Sequence, residues 1–381
     1  MLTKFRQFIQ KETVLCIAFL LAVSSMLFVP PSVNYVNYID WRVIALLFCL
    51  MAVVRAFDSV GVFMRLGNIL IQKAHTLRLV ALICIGLCFF LSMLITNDVA
   101  LITFVPFTIL LLNMIGQERY LISLIVFETI AANLGSMLTP LGNPQNLYLY
   151  TITGMSLPAF ILTMLPYTAI SLVMLVLCVF TFPKAAIQMA PAPSETYGSA
   201  KGHDPHGAII VYIILFVLCL LVVLHVLPFP VALVAVIVGL LLCNRKLFAQ
   251  VDYCLLLTFL CFFVFVGNMK QIPAIHSWLS GIITNHELII GILASQVISN
   301  VPAAILLSGF TTQYSALLIG VNIGGLGTLI ASLASLISYK FYANTTDCKK
   351  GHYMLVFTAY NVLFLFVLCI CYMGLSYFHF N

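Results

Sequence analysis

The sequence predicts an all-α polytopic membrane protein in which two halves repeat one plan in opposite orientations. Two observations predict this fold class: the composition, and a pair of matched polar interruptions in apolar regions. Of the 381 residues, 63% are hydrophobic and only 7% are charged. Such a composition excludes an ordinary soluble domain and is typical of a chain that crosses a membrane several times.

The interruptions occur in pairs, one pair in each half of the chain. In the first half, the segment Ile95–Ala100 (Ile-Thr-Asn-Asp-Val-Ala) is followed by Leu138–Asn146, which is rich in Asn, Gly and Pro. In the second half, Ile298–Ala303 is followed by Asn322–Thr328. Backbone that leaves a helix at membrane depth is tolerated only where protein buries it or a cavity wets it. Paired interruptions in corresponding positions therefore indicate a transporter's binding site.

The apolar runs and polar segments between them divide the chain into five parts. These are an N-terminal scaffold helix (1–40), a first repeat (41–182), a polar cytoplasmic linker rich in Pro and Gly (183–206), scaffold helices (207–250) and a second repeat (251–381). In the first repeat we expect a hairpin over 79–113 and a broken helix over 119–155. In the second repeat we expect a hairpin over 286–310 and a broken helix over 313–340.

The distribution of basic residues favours one of two topologies. Each predicted hairpin segment is either a pair of crossing helices or a re-entrant hairpin with its tip at Asn97 or Asn300. With a cytoplasmic N-terminus and two re-entrant hairpins, all of the 17 Lys and Arg residues except Arg42 and Lys270 fall on the cytoplasmic side. Because positive charge is retained there, we expect this topology, a C-terminus outside, and an inverted repeat in the cytoplasmic (inner) membrane.

The interruptions also predict the chemistry of the site. A helix that begins at a break exposes free N–H groups at the positive end of its dipole, which binds anions without a cationic side chain. We expect such helix starts near Asp98, Asn146, Val301 and Thr328. Unwound carbonyl groups at the same places suit Na⁺. The alternative is that the polar residues only cap and pack the broken helices.

Two acidic residues, Asp98 and Glu128, lie deep within the predicted membrane segments. A carboxylate at membrane depth is costly and indicates function by default, so Asp98 is a candidate proton carrier or Na⁺ ligand. It is equally placed to cap the helix that follows it. Glu128 is either part of a proton relay or a structural hydrogen-bonding group. The second half has Val301 at the position equivalent to Asp98, so the two ion sites are not expected to be equivalent.

These motifs resemble the ion transporter superfamily, which contains the divalent anion/sodium symporters, citrate-transporter-like anion permeases, arsenite-efflux permeases and NhaD-type sodium/proton antiporters. Thr96–Asp98 occupies the position of the symporters' Ser-Asn-Thr motif. Its Asn-Asp pair is more similar to the arsenite permeases. Gly142–Asn146 is similar to the symporters' Gly-Thr-Pro-Pro-Asn. Ser299–Pro302 is similar to the second Ser-Asn-Thr tip, and Gly325–Thr328 matches the second break in part.

The resemblance implies a dimeric, elevator-type fold with the substrate between the two hairpin tips and the coupling ions between each tip and the neighbouring break. The implied substrate site consists of Thr96, Asn97, Asn143, Pro144, Asn146, Asn300, Val301, Gly327 and Thr328. The coupling site for Na⁺ or H⁺ consists of Asn97, Asp98, Glu128, Gly142, Asn143, Ser299, Asn300, Gly324 and Gly325. Neither tip has the threonine whose hydroxyl holds a dicarboxylate, which argues against citrate or succinate as the substrate.

The sequence thus predicts a secondary active transporter that moves a small inorganic or organic anion and is coupled to Na⁺ or H⁺. We expect no bound cofactor, no nucleic-acid partner and a homodimer in the lipid bilayer. The alternative is a Na⁺/H⁺ antiporter in which cation and proton occupy Asp98 and Glu128 in turn. An intramembrane enzyme is not expected, because no metal-binding His-Glu-x-x-His motif is present. A channel would leave the inverted repeat without a role.

Overall fold

The computed structural model describes residues 12–187, 205–346 and 348–379. Most of the predicted linker 183–206 lies outside these residues, as does the start of the N-terminal part. Within the described ranges the regular elements are all helices, joined by short turns and one isolated bridge between Thr76 and Ala186. The predicted all-α architecture is therefore confirmed.

Nine helices precede the linker region in the described chain. They are α1 (Thr13–Ser25), the short α2 (Tyr35–Tyr38), α3 (Trp41–Ser59), α4 (Val62–Ile71), α5 (Leu77–Ile95), α6 (Asn97–Met114), α7 (Leu121–Ser136), α8 (Pro144–Thr153) and α9 (Leu157–Val179). Nine more follow it. They are α10 (Pro205–Val223), α11 (Phe229–Asn244), α12 (Tyr253–Lys270), α13 (Pro273–Ile283), α14 (Glu287–Ile298), α15 (Asn300–Ser308), α16 (Tyr314–Ile323), α17 (Leu333–Ala343) and α18 (Lys350–His379).

By length and composition, six helices in the described ranges suffice to cross a membrane: α5, α6, α9, α11 with its following turn, α12 and α18. Two bent pairs each have the length and composition of a further span: α3 with α4, bent by 53°, and α13 with α14, bent by 108°. Large apolar side chains are exposed on the outer helices, including Leu162, Leu242 and Phe366. Apolar surface of this kind faces lipid, so the chain is a multi-pass membrane protein.

Side-chain caps fix the starts of several helices. Asp40 accepts a hydrogen bond from the Val43 N–H (3.0 Å) at the start of α3, and Asp252 accepts from Leu255 (2.9 Å) at the start of α12. Such caps satisfy N–H groups that have no partner within the helix. At α3 and α12 the polar residue that precedes the apolar run therefore sets where the helix begins.

The helix pair α5–α6 returns to the side at which it starts. Arg78, at the start of α5, donates from its Nε to the Phe182 carbonyl (2.8 Å) just after α9. Tyr120 follows α6, and its ring also packs on Phe182, with ring centroids 5.8 Å apart. Each of these two helices is long enough to cross a membrane, so re-entrant insertion of the pair stays a prediction.

The same order of elements occurs twice in the described chain. A long helix followed by a shorter one (α3–α4 or α12–α13) precedes a pair joined by one residue (α5–α6 or α14–α15). A broken pair (α7–α8 or α16–α17) and one long helix (α9 or α18) follow. Helices α14 and α15 are shorter than their counterparts α5 and α6. The opposite orientation of the two units stays a prediction, as do the elevator movement and the homodimer.

Close packing of α5 against α7 depends on Gly135. A Cβ atom at this position would overlap the backbone carbonyl of Phe89 and lie 2.8 Å from Ser92 Oγ. Both atoms belong to α5 and lie at or near its backbone. Because the interior is closely packed, neither can shift without a cost in free energy.

We expect Gly135→Ala to destabilise the fold by about 1–3 kcal/mol through overpacking. The measurement is the apparent thermal unfolding midpoint of the purified protein in detergent, which should fall by several degrees. Gly86→Ala is the matched control, because a Cβ on Gly86 in α5 has nothing within 4 Å and alanine is the better helix former. Equal midpoints for the two variants would contradict the proposed close approach.

Candidate functional site

The helix pairs α5–α6 and α14–α15 are each interrupted by one residue with the same unusual backbone conformation. Thr96 has φ 71° and ψ 147°, and Ser299 has φ 74° and ψ 154°. This region is nearly restricted to glycine and costs about 1–3 kcal/mol for other residues. A strained residue persists only where its surroundings over-determine it, so both tips are held firmly by their neighbours.

Each tip is bonded to the break in the broken helix of its own half. The Asn97 N–H donates to the Gly142 carbonyl at 3.0 Å, and the Asn300 N–H donates to the Ala331 carbonyl at 3.0 Å. The Ser299 hydroxyl also donates to Ala331, at 3.4 Å. At each tip, an N–H group that has no partner within its helix is hydrogen-bonded to a carbonyl group of an unwound segment. The bond satisfies both backbone groups.

The tip asparagines use their side chains in the same way. Asn97 Oδ1 accepts from the Asp98 N–H at 3.0 Å, and Asn300 Oδ1 accepts from the Val301 N–H at 2.9 Å. The Asn97 amide differs in one respect, because its Nδ2 donates to Asn133 Oδ1 at 3.0 Å. The two tips therefore share a local geometry, and the first tip makes an additional hydrogen bond to α7.

Asn133 connects the first tip to the second half of the chain. Its Oδ1 accepts from Ser332 Oγ at 2.9 Å as well as from Asn97, and its Nδ2 donates to Ser335 Oγ at 3.5 Å. Ser332 immediately precedes α17. A single buried amide thus joins the helix starts of α6 and α17.

A second asparagine bridge lies at the start of α8. Asn143 Nδ2 donates to Asn322 Oδ1 at 3.1 Å, and Asn322 Nδ2 donates to Asn146 Oδ1 at 2.6 Å. Asn143 also caps α8, accepting from the Asn146 N–H at 2.9 Å, and Pro144 occupies the first position of that helix. The bridge connects the first break to the last residues of α16.

A glycine is required where the first break folds back on α7. A Cβ on Gly142 would overlap the backbone of Ser136. Asn146 closes the same turn, donating from Nδ2 to the carbonyl groups of Met137 (3.2 Å) and Thr139 (3.1 Å). The predicted coupling residue Gly142 thus lies in the innermost part of the break.

The structure brings the starts of four helices together. The bonds described above connect α8 to α6 at Gly142, α6 to α17 through Asn133, and α17 to α15 at Ala331. The side chains in these bonds are amides and hydroxyls, without a cation. Converging helix N-termini of this kind form a setting suited to an anion.

The second break differs from the sequence expectation at its far end. We expected a helix start near Thr328, whereas α17 begins at Leu333. The delay has a local cause: Gly327 has φ +106°, and Gln296 occupies the turn. Gln296 Nε2 donates to the carbonyl groups of Gly324 and Leu326 (both 2.8 Å), and its Oε1 accepts from the Thr328 N–H (2.9 Å).

Most of the predicted site residues join the cluster, but some lie outside it. Gly325 packs against the Asn300 side chain, and Val301 is buried beside it. Thr328 is exposed and bonds to Gln296, and Gly327 lies against the Gln296 side chain. The Thr328 carbonyl accepts from the Ala331 N–H at 3.1 Å, so these two residues, predicted to bind substrate, reach the second tip only through Gln296 and Ala331 among the bonds of the described chain.

Asp98 is half-buried and lies between the cluster and a group of charged residues. On the same helix, Thr103 Oγ1 donates to Asp58 of α3 at 3.3 Å, and Asp58 pairs with Arg55 at 3.7 Å. Asp98 thus lies about one and a half turns from the place where α6 meets the end of α3.

Glu128 is fully buried and does not join the asparagine network through a hydrogen bond. Its Oε1 accepts from Thr108 Oγ1 at 2.5 Å, while its Oε2 has no hydrogen-bond partner in the described parts of the chain. An unpartnered buried carboxyl oxygen is costly and needs an explanation.

Sequence reasoning missed four residues whose hydrogen bonds hold the cluster together, and one further buried residue of α8, Gln145. The four are Asn133, Gln296, Ser332 and Ser335. Gln145 is 1% exposed, and its Oε1 lacks a partner among the described residues. The available signal was a polar side chain within an otherwise apolar run, as with Asn133 in α7 and Gln296 in α14. Their partners come from distant parts of the sequence, and no local pattern reveals them.

Apolar helices of membrane length around buried polar helix breaks define a polytopic membrane transporter. A family model described as citrate transporter matches residues 6–316. The chain therefore belongs to the citrate transporter family, which confirms the resemblance to the ion transporter superfamily.

Three relatives are consistent with this assignment. An uncharacterized transporter of Methanocaldococcus jannaschii is 33% identical over 87% of this chain and 89% of its own length. The inner membrane protein YbiR of Escherichia coli is 35% identical over 79% of this chain and 80% of its own length. The silicon efflux transporter LSI3 of Oryza sativa subsp. japonica is 33% identical over 34% of this chain and 26% of its own length.

We expect Asn133→Leu to reduce transport at least about tenfold, because Asn97 and Ser332 would lose their shared acceptor and a buried donor left unsatisfied costs about 1–3 kcal/mol. The measurement is the ion-driven charge movement of proteoliposomes. Asn361→Leu is the matched control: Asn361 is also buried, but its one hydrogen bond among the described residues stays within α18, to the Phe357 carbonyl. Normal transport by Asn133→Leu would show that the bridge is dispensable.

Proposed function

We propose that the protein is a secondary active transporter of a small inorganic or organic anion, coupled to Na⁺ or H⁺. The observation that carries the proposal is the convergence of four helix starts whose connecting side chains are uncharged amides and hydroxyls. The positive ends of the helix dipoles at such starts attract an anion electrostatically. A site without a fixed cation binds and releases its anion more easily than one with a buried Lys or Arg, and a transporter must do both.

The coupling ion is proposed to bind between each tip and the neighbouring break. In the first half this region contains Asn97, Asp98, Gly142 and Asn143. In the second half it contains Ser299, Asn300, Gly324 and Gly325. Amide and backbone oxygens are suitable ligands for Na⁺, and the carboxylate of Asp98 makes the first region the more attractive to a cation or proton.

The substrate class is supported by the family as well as by the site. The family is described as citrate transporters, and a relative over a third of the chain is named a silicon efflux transporter. Asp98 and Val301 stand where the symporters' two Ser-Asn-Thr tips have threonine, which still argues against citrate here, so a smaller oxyanion or carboxylate is preferred.

The proposed topology places the two repeats in opposite orientations, with a cytoplasmic N-terminus and the C-terminus outside, in the inner membrane. The recurrence of one element order and of one tip geometry supports this arrangement. The scaffold helices α10 and α11, which expose many apolar side chains, are the proposed homodimer surface. The central helices would then move relative to them as in an elevator.

The alternative function is a Na⁺/H⁺ antiporter that uses Asp98 and Glu128. The observation that favours it is Glu128 Oε2, which is buried without a partner in the described residues. Such an oxygen can take up a proton without breaking an existing bond. In the antiporter, Asp98 and Glu128 would bind the cation and the proton in turn.

The deciding experiment records charge movement on a solid-supported membrane that carries the purified protein. Na⁺ jumps are applied at several pH values, alone and with citrate, succinate, sulfate, phosphate, silicate or arsenite. A current that requires one of these anions supports anion symport and identifies the substrate class. A current or pH change driven by Na⁺ alone supports the antiporter instead.

We expect Asp98→Asn to abolish coupled transport and to leave the unfolding midpoint unchanged, because the amide has the same shape but cannot carry the charge or the proton. The measurement is the same charge movement. Glu287→Gln is the control: Glu287 is also a buried acid, but it accepts from Thr311 Oγ1 (2.8 Å) in the other half. Coupled transport that survives in Asp98→Asn would remove this residue from the mechanism.

A further inference from the structure

A cavity of about 730 Å³ opens at the end of the protein where α3 begins. Its wall includes Trp41, Arg42 and Lys270, and it reaches Tyr148 of α8 and Ser308 of α15. It is therefore distinct from the asparagine network, yet it is built from the same two helices whose starts form that network. A cavity of this size holds a small solute together with its hydration water.

Two of the three charged residues in this wall are basic. Arg42 and Lys270 are the two residues that the charge distribution placed on the outer side, and both line this one cavity. The third, Asp40, uses its carboxylate to cap α3, accepting from the Val43 N–H at 3.0 Å. In the part of the chain that the structure describes, neither basic residue has an acidic group within ion-pair distance. The wall thus carries a net positive charge that no carboxylate neutralises directly.

Arg42 is held in place but keeps a free donor. Its Nη2 donates to the Val222 carbonyl in the last turn of α10 at 2.8 Å. Its Nε is buried and lacks a hydrogen-bond partner among the residues described. A buried charged donor without an acceptor is costly, and an oxyanion or carboxylate is the ligand that matches a guanidinium group.

The floor of the cavity separates it from the helix breaks. The Tyr148 and Ser308 hydroxyl groups are hydrogen-bonded to each other at 2.7 Å, and Tyr148 packs on Phe259 and Phe263. Along α15, Ser308 lies about 12 Å from the tip residue Asn300, at about 1.5 Å per residue. A solute that passes this bond therefore reaches the tips after a short distance.

We propose that this cavity is an anion-binding vestibule in which Arg42 and Lys270 hold a small oxyanion or carboxylate, above a floor formed by the Tyr148–Ser308 hydrogen bond. The inference rests on the proposed anion transport and adds a second binding site to it. Positive residues in a cleft with low-dielectric walls raise the local concentration of anions. In this proposal the anion binds first in the vestibule and then at the uncharged site between the helix breaks, from which it is transported.

Trp41 provides a direct probe of the vestibule. The chain has two tryptophans; Trp41 lines the cavity, and Trp278 lies on α13. Trp41 is 49% exposed, and in a Trp278→Phe background its fluorescence alone reports the ions around it. Iodide, an anionic quencher, is compared with acrylamide, a neutral one, at low and constant ionic strength, because salt screens the effect.

Substitution of both Arg42 and Lys270 by Gln should lower iodide quenching of Trp41 at least about twofold and leave acrylamide quenching unchanged. The control is the double substitution of Arg65 and Lys73 by Gln, which removes the same charge from exposed positions at α4. Unchanged acrylamide quenching also shows that the fold around Trp41 is intact. Equal iodide quenching in the two double variants overturns the vestibule.

The second measurement is the concentration dependence of the charge movement for sulfate, phosphate and citrate. The Arg42→Gln/Lys270→Gln variant should have a KM raised at least about tenfold, with the maximal current retained. An unchanged KM overturns the role of the vestibule in transport.

The experiments distinguish failure of the vestibule proposal from failure of the anion-transport proposal. If iodide quenching responds as expected but Na⁺ alone drives the current, the vestibule stands and anion symport is wrong. Asp98→Asn should lose transport and keep the Trp41 response.

Discussion

The structure depends on how backbone groups are satisfied where helices stop inside an apolar environment. Lipid offers no hydrogen bonds, so every N–H and carbonyl group freed by a break needs a partner within the protein. The tip residues Asn97 and Asn300 solve this in the same way, by donating their N–H to a carbonyl group of the neighbouring break. Each tip thus supplies the hydrogen-bond partner that the neighbouring break needs, and each break supplies the partner that the tip needs.

This constraint also explains why the site is made of asparagine. An amide side chain donates and accepts at once, so one residue can satisfy an N–H group on one side and an oxygen on the other. Asn143 does this at the start of α8, where it caps the helix and reaches Asn322 in the second half. A charged side chain in the same place would satisfy only one kind of partner and would require a counter-ion.

Much of the fold could be predicted from the sequence, because the determinants are local. Apolar run lengths indicate the helices, and the tips predicted at Asn97 and Asn300 lie one residue after the observed breaks at Thr96 and Ser299. The start of α17 could not be predicted, since it depends on Gln296 bonding across to the turn at Thr328. The role of Asn133 was hidden for the same reason: its partner Ser332 is distant in the sequence, and no periodicity relates them.

The two asparagine bridges have a consequence for how this sequence can change. Asn133 is the common acceptor for Asn97 and Ser332, so an isolated replacement leaves donors in both halves unsatisfied, and a compensating change must follow. Residues that touch tend to vary in concert. Positions 97, 133 and 332 should therefore be inherited as a set, so that the evolutionary histories of the two halves are tied together at their centre.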